Sequence, residues 1–227
     1  LEAMREACKI TAAARALAGK MVRPGVSTKA IDQAVHDYIV SQGAKPSFLN
    51  YSGYPASACI SVNSTVIHGI PGHYILRDGD IVSVDVGAYY KGFHGDCAAT
   101  YACGSISTEA QKLIDVTRQS FFEGIRFAKK GMRVQDISHA VQTYVESNGF
   151  AVVRSFVGHG VGRNLHEEPE VPNFGNPGRG PRLLPGMTSA VEPMVNMGTY
   201  EVRVLKDGWT TAVSYTHLRA HETSQDL

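Results

Sequence analysis

The chain repeats itself, and this limits its fold more than any other feature of its sequence. Arg23–Ala44 can be set over Lys129–Phe150 at a constant offset of 106 with no gap, and seven of 22 positions are then identical. The identities are Gly25/Gly131, Ile31/Ile137, Ala34/Ala140, Val35/Val141, Tyr38/Tyr144, Ser41/Ser147 and Gly43/Gly149. Unrelated segments of this length match at about one or two positions, so the chain reads as two copies of one structural unit. In both copies the apolar residues recur at helical spacing and make one buried stripe: Ile31, Ala34, Val35, Tyr38 in the first, Ile137, Ala140, Val141, Tyr144 in the second. Ser27 is placed to cap the first helix, and Gly43 and Gly149 stand where a left-handed residue stops one. A further helix is predicted before each: Met4 to about Lys20, and one opened by the capping-box pair Thr108 and Gln111.

Short β-rich segments follow each helical pair. Cys59–Val62, Ile81–Val86, Val152–Val157 and Thr188–Val195 read as strands, as does the stretch near Phe93–Tyr101. Two helix-pair-plus-sheet halves, about 1–105 and 106–212, predict an α+β domain with helices on one face of a mainly antiparallel sheet. Pro172–Pro185 reads as a long surface loop within it.

Composition removes several classes. With 22 Lys plus Arg against 21 Asp plus Glu, the net charge of +1 leaves no electrostatic footprint for nucleic acid. No apolar run approaches the roughly 18–20 residues needed to span a bilayer. Cys8, Cys59, Cys97 and Cys103 lack C-x-x-C spacing and are too sparse for a disulfide scaffold. A cytoplasmic globular enzyme is the expectation, and a start at Leu1 rather than Met is that of a fragment.

Ile81–Val86 alternates, which puts Val82, Val84 and Val86 on one face and Ile81, Ser83 and Asp85 on the other. With a hairpin tip at Tyr90-Lys91, Asp85 stands directly opposite Asp96, with Cβ atoms about 4.5–5.5 Å apart. Two carboxylates that close must share a proton or a cation, and such a pair can bridge two divalent ions. A solvated polar face or hydrogen-bonded turn aspartates would also accommodate them. The repeat favours the metal: at offset 107, Gly79 falls on Gly186, Val84 on Val191 and Asp85 on Glu192. An acid inside an apolar strand in both halves is costly unless paired or bound to metal.

His159 lies in Gly158-His159-Gly160-Val161-Gly162, where flanking glycines are expected to leave room for an ion or substrate. Asp85, Asp96, His159 and Glu192 offer mostly oxygen donors with one imidazole, a set suited to Mn, Fe(II), Co or Zn rather than to a closed structural zinc site. His68 and His166 are candidates for proton transfer or oxyanion stabilisation. Asn50-Tyr51-Ser52 and Asn63-Ser64-Thr65 match the glycosylation pattern, but nothing marks the chain as secreted, and Asn63 is expected to hydrogen-bond or help hold a cation at a strand end.

At these residues the sequence resembles the type I methionine aminopeptidases of bacterial kind, members of the pita-bread (creatinase/aminopeptidase) superfamily. The resemblance is carried by His68-Gly69-Ile70-Pro71, Asp80–Asp85, Gly92-Phe93-His94-Gly95-Asp96, Phe156–Gly162, Leu165-His166-Glu167-Glu168-Pro169 and Glu192-Pro193-Met194, and it runs from Leu1 to about Ala212. It implies excision of the initiator methionine from nascent chains leaving the ribosome, by a monomer with no nucleic-acid or membrane site of its own. It also implies two divalent ions (Co, Mn, Fe or Zn) and an activated water. By match, Asp85, Asp96, His159 and Glu192 would be metal ligands, and Glu192 also the water's base. His68 would serve the substrate amine, and His166 would polarise the scissile carbonyl. Tyr51, Tyr54, Cys59, Leu165 and Trp209 fall where the methionine side chain is held. A soft apolar pocket with a thiol and aromatic rings suits a thioether.

The sequence departs from that pattern in three places. Ser52 stands where many members have His, and Leu165 replaces a usual Phe. The resemblance also requires a fifth ligand, a Glu in a Q-F-E-H-T-like strand after the hairpin of Trp209, and no such strand is expected here. Val213–Thr223 instead reads V-S-Y-T-H-L-R-A-H-E-T, the translation of a sequencing-library transposase adapter, so residues 213–227 are read as a non-native tail on a catalytic domain of residues 1–212. Glu222 lies near the missing ligand's place but is not assigned to it. Two alternatives are a pita-bread binding module without catalysis and a proline-directed aminopeptidase, the latter disfavoured because such enzymes carry a large extra N-terminal domain.

Overall fold

A computed structural model describes residues 1–213 and 218–223. The first half runs α1 (Glu2–Met21), α2 (Thr28–Ser41), β1 (Lys45–Pro46), β2 (Ala58–Val62), β3 (Thr65–Ile67), β4 (Ile81–Tyr90) and β5 (Phe93–Ala102). The second runs α3 (Thr108–Ile125), α4 (Val134–Ser147), β6 (Ala151–Val152), β7 (Gly158–Gly160), β8 (Glu167–Val171), β9 (Ser189–Ala190) and β10 (Met194–Asn196). It closes with β11 (Val202–Val204), β12 (Thr211–Val213) and β13 (Arg219–His221). Every strand pair among the described residues is antiparallel. No helix among them is long and apolar enough to cross a membrane.

The duplication is visible residue by residue. α2 and α4 have the same length and start and stop 106 positions apart, as do β1 and β6. Gly25 and Gly131 enter these helices at φ 89° and 94°, and Gly79 and Gly186 both lie at φ 93°, a region closed to most side chains. Identical backbone demands at equivalent places explain why glycine survives there in both copies.

Ser27 caps α2 by accepting from the Ala30 N–H at 3.1 Å. Ser27→Ala is expected to cost about 1 kcal/mol, read as a lower denaturant midpoint at unchanged slope. The predicted capping pair of α3 is off by one residue: Ser107, not Thr108, is the N-cap and accepts from Ala110 N. Two adjacent hydroxyl residues made the choice ambiguous in sequence.

Ile10, Ala14 and Ala18 of α1 and Ile31, Val35 and Ile39 of α2 pack on Val82, Val84 and Val86 of β4. Each fully buried valine there contributes roughly 1.5–3 kcal/mol. Leu113, Val116, Val141 and Val145 of α3 and α4 do the same for Val152, Val195 and Ala220. α1 lies so close on β5 that a Cβ at Gly95 would stand 2.8 Å from the Ala7 carbonyl oxygen. With helices on that face, the opposite face of β4 and β5 is left to Ser83, Asp85 and Asp96.

Two predicted strands are shorter than expected. Of the segment 152–157 only Val152 lies in a strand, as the end of β6, and Thr188–Val195 divides into β9 and β10. Pro193 has no N–H to give a ladder, so the strand breaks beside Glu192. Residues 172–185 form no strand, in keeping with a loop.

The expected absence of a final strand is overturned. β13 pairs with β10, Met194 facing His221 and Asn196 facing Arg219, while Thr223 exchanges backbone hydrogen bonds with Ala98 of β5. Arg219-Ala220-His221 has the needed alternation: Ala220 joins the apolar cluster under α3, and the two polar residues take the opposite face. Three residues are too few for that period to stand out in sequence. Residues 214–217 and 224–227 of the expected tail lie outside the described residues.

Candidate metal centre and substrate cleft

The β4–β5 hairpin turns at Lys91-Gly92, with φ 48° and 87°. Positive φ at both central residues is the type I′ turn that matches strand twist, and it places the tip one residue beyond Tyr90-Lys91. Asp85 therefore pairs with Ala98 and Asp96 with Gly87. The aspartates are diagonal neighbours, not directly opposite, but a two-residue shift keeps them on one face. Their carboxyls hydrogen-bond each other. Burial first, then the charges of Asp96 and Glu192, push the Asp85 carboxyl well up, the response expected of a buried acid facing other acids.

His159 enters from β7. Its Nδ1 lies 2.8 Å from the Gly160 carbonyl oxygen, which can only accept, so Nδ1 carries the proton and Nε2 is turned to the acids. Nε2 is 3.5 Å from Asp96 Oδ2 and 3.0 Å from Glu192 Oε1. A backbone carbonyl that fixes the ring in this way is a usual support for a metal-binding histidine. The flanking glycines do something other than expected. A Cβ on Gly158 would strike the Ala190 carbonyl and one on Gly160 the Glu168 carbonyl, so they let β9 and β8 close on β7 rather than leave open space.

Asp96, His159 and Glu192 each offer a ligand atom within 4.8 Å of the others. Glu192 Oε1 is buried yet has no partner in hydrogen-bond geometry, because the neighbouring imidazole lies near it at an unsuitable angle. A buried carboxylate oxygen with a close imidazole but no well-aligned hydrogen bond can be satisfied by a divalent cation. Burial opposes charge on His159, but Asp96 and Glu192 outweigh it and push the imidazole up to about 11. Burial likewise opposes charge on Glu192, and the His159 and His221 imidazoles hold its carboxyl below the usual carboxylate range. This negative field would be met by a dication when one is bound. Mixed oxygen donors with one or two imidazoles fit a first-row divalent ion.

Beside these acids lies a cleft of about 200 Å³. All eleven residues singled out in the sequence line it: Asp85, Asp96, His159 and Glu192 at the acidic end, His68 and His166 along the side, and Tyr51, Tyr54, Cys59, Leu165 and Trp209 beyond. Tyr54, Cys59, Leu165 and Trp209 pack with Phe48 and Ile70 in one apolar cluster, Trp209 edge-on to Tyr54 at 5.2 Å. Tyr54 is anchored by its hydroxyl, which donates towards the carbonyls of Ala58 and Gly69 at 3.1 and 3.0 Å. Burial pushes the Cys59 thiol up, so it is an apolar wall and not a thiolate.

His68 sits at φ 56° with its ring edge-on to Phe156 and Trp209. Burial holds its pKa down to about 4, so the ring is neutral. Burial and the neighbouring His159 also lower His166, whose ring centroid is 4.2 Å from that of His159. Asn63 bonds Asp80 Oδ1 through its side-chain amide at 2.8 Å and accepts from the Ile81 N–H, which closes the start of β4.

Phe48, Phe156, Met194 and His221 also line the cleft and were not foreseen. Phe48 carries no signal beyond apolarity, whereas Phe156 and Met194 belong to motifs already quoted and were not assigned a place in the site. His221 Nε2 lies 3.3 Å from Glu192 Oε2, whereas Glu222 turns to Arg15 at 3.7 Å. A signal for position 221 existed: set on Thr223, Arg219–Thr223 runs parallel to Q-F-E-H-T and puts His221 at the glutamate.

Residues 2–219 match the model of metallopeptidase family M24. The methionine aminopeptidase of Clostridium perfringens is 54% identical over 221 residues, covering 97% of this chain and 89% of that protein. Methionine aminopeptidase 1 of Bacillus subtilis is 52% identical over 207 residues, 91% of this chain and 84% of that protein. Among solved structures, the methionine aminopeptidase of Thermotoga maritima superposes with a TM-score of 0.96 at 43% identity, over 98% of this chain and 90% of that one. A prolidase from Pyrococcus furiosus, 22% identical with a TM-score of 0.78 over 98% of this chain and 59% of that one, shares the fold.

Proposed function

Since this chain belongs to metallopeptidase family M24, we propose that it hydrolyses the first peptide bond of chains that begin with methionine. The observation that carries this reading is the convergence of Asp96, His159 and Glu192 at one end of a cleft whose other end is apolar and aromatic. Relatives more than half identical to it bear the name methionine aminopeptidase.

Asp96, His159 and Glu192 would hold a divalent ion, and Asp85 with Asp96 would contribute to a second. Bound there, divalent ions supply Lewis acidity and a water acidic enough to be a nucleophile near neutral pH. The chain's own residues do the rest. Glu192 accepts the proton of the attacking water. His166 donates to the scissile carbonyl oxygen, neutral His68 accepts a hydrogen bond from the substrate amine, and the C–N bond breaks as the water's proton passes from Glu192 to the leaving nitrogen. Tyr54, Cys59, Leu165 and Trp209 enclose the thioether, and Tyr51 stands at the mouth.

We read residues 1–212 as the native catalytic domain of two similar halves, about 1–105 and 106–212, and residues 213–227 as a foreign tail that nevertheless supplies β13. The substrates are nascent N-termini met in the cytoplasm, and the enzyme acts as a monomer. A proline-directed activity gains no support from a shared fold at 22% identity.

The test uses the chain with Q-F-E-H-T in place of residues 219–223, loaded with Mn or Co. A Met-Ala-Ser peptide is expected to turn over at least tenfold faster than Leu-Ala-Ser, since shape and polarisability differences in an apolar pocket discriminate by roughly 10–200-fold. Equal turnover of the two would overturn the thioether pocket.

A further inference from the structure

We propose that Tyr51 is a positioning residue that fixes the tautomer of His166: its phenolic hydroxyl donates to Nδ1, which keeps the imidazole proton on Nε2. Tyr51 Oη and His166 Nδ1 are 2.7 Å apart, with ring centroids 5.1 Å apart and the rings tilted at 44°. A neutral imidazole has one N–H and one acceptor nitrogen, and whichever nitrogen accepts determines that the other donates. The proposal rests on the reading of His166 as the donor to the scissile carbonyl, which needs the proton on Nε2.

Two further observations separate Tyr51 from the apolar wall. It stands outside the cluster of Phe48, Tyr54, Ala56, Cys59, Leu165 and Trp209, and its side chain is 39% exposed. Its backbone is also held in an unusual way. Asn50 and Ser52 on either side of it lie at φ 65° and 49°, where non-glycine residues are uncommon, and Gly53 follows at φ 87°. The segment is closed by Tyr51 N to Phe48 O at 3.0 Å, Asn50 N to Tyr54 O at 2.8 Å and Tyr54 N to Tyr51 O at 2.9 Å. Strained, well-pinned turns of this kind persist where they aim a side chain. Here Tyr51 reaches 115 positions along the chain to His166.

The test is a long-range proton–nitrogen correlation spectrum of the 227-residue chain labelled with ¹⁵N-histidine, recorded metal-free at pH 8. The His166 signals are those lost in His166→Gln. In the parent chain Nδ1 should appear unprotonated and Nε2 protonated. In Tyr51→Phe, which keeps the ring, the Nδ1–H form should rise severalfold, while the signals of His94 stay in place as a control for the fold. A parent spectrum with the proton on Nδ1 overturns the proposal without recourse to any variant, as does an unchanged tautomer ratio in Tyr51→Phe. Turnover enters neither readout, so the proposed peptidase activity stands or falls separately.

Discussion

Replacing His221 with glutamate is expected to raise the tightly held divalent ions from one to two per chain and to increase turnover of a Met-Ala-Ser peptide by roughly a hundredfold or more. Register supplies the reason. β13 pairs with β10 and Thr223 with Ala98, which turns the side chain at 221 towards Glu192 and the one at 222 towards Arg15. As the chain stands, a first ion would find Asp96, His159 and Glu192, while a second would be left with Asp85 and a share of Asp96. An imidazole at 221 engages Glu192 Oε2 but brings no negative charge to offset a second dication. A carboxylate there adds both charge and a bridging donor. His221→Gln, which fits the same space without charge, should gain neither ion nor activity. Metal content after gel filtration, followed by the peptide assay, decides the matter. Two tight ions with high turnover in the unaltered chain would show that the tail already serves as the native strand, and the reading of residues 213–227 as foreign would fail.

The second large effect is on stability. Arg219 is 1% exposed, its Nη1 donating to Ser83 Oγ at 2.7 Å and Nη2 to the Ser61 carbonyl at 2.9 Å, while Nε has no partner. No carboxylate lies within ion-pair distance of it among the described residues. Burial pushes its pKa from 12.5 down to about 9. A base whose folded pKa lies below its unfolded one burdens the fold at every pH under about 9, and the burden fades as pH rises from there towards 12.5. Arg219→Gln removes the charge and retains an amide donor for Ser83 or Ser61. It should therefore stabilise the chain by about 2 kcal/mol at pH 7, a rise in Tm of roughly 5 °C. The gap between variant and parent should narrow by pH 10. A Tm at or below that of the parent at pH 7 would mean that the two hydrogen bonds outweigh the cost of the buried charge.

Much of the fold was legible because its signals are local. The stripe with Ile31 and Val35 and its copy with Ile137 and Val141 are periodicities within single helices, and each came out on the expected face. The alternation of Val82, Val84 and Val86 against Ser83 and Asp85 likewise needs only one strand. Register was less legible. It depends on whether the turn is Tyr90-Lys91 or Lys91-Gly92, and the preference of a type I′ turn for glycine at its second central position was the clue that mattered. Strand ends were least legible, since Pro193 and the glycines around His159 act through neighbours distant in sequence.

By itself the sequence determined a duplicated unit, an acid at the same place in both copies, and a set of residues able to hold metal beside an apolar pocket. These follow from spacing along one chain, where the covalent geometry fixes which side chains share a face. Only the tertiary structure decided that Asp85 and Asp96 meet diagonally, that Gly158 and Gly160 admit strands instead of a ligand, and that Tyr51 belongs to His166. It also decided that His221, within a segment set aside as foreign, faces Glu192. Each of these depends on how separate segments register against one another, and that is fixed by packing and hydrogen bonds between residues more than a hundred positions apart.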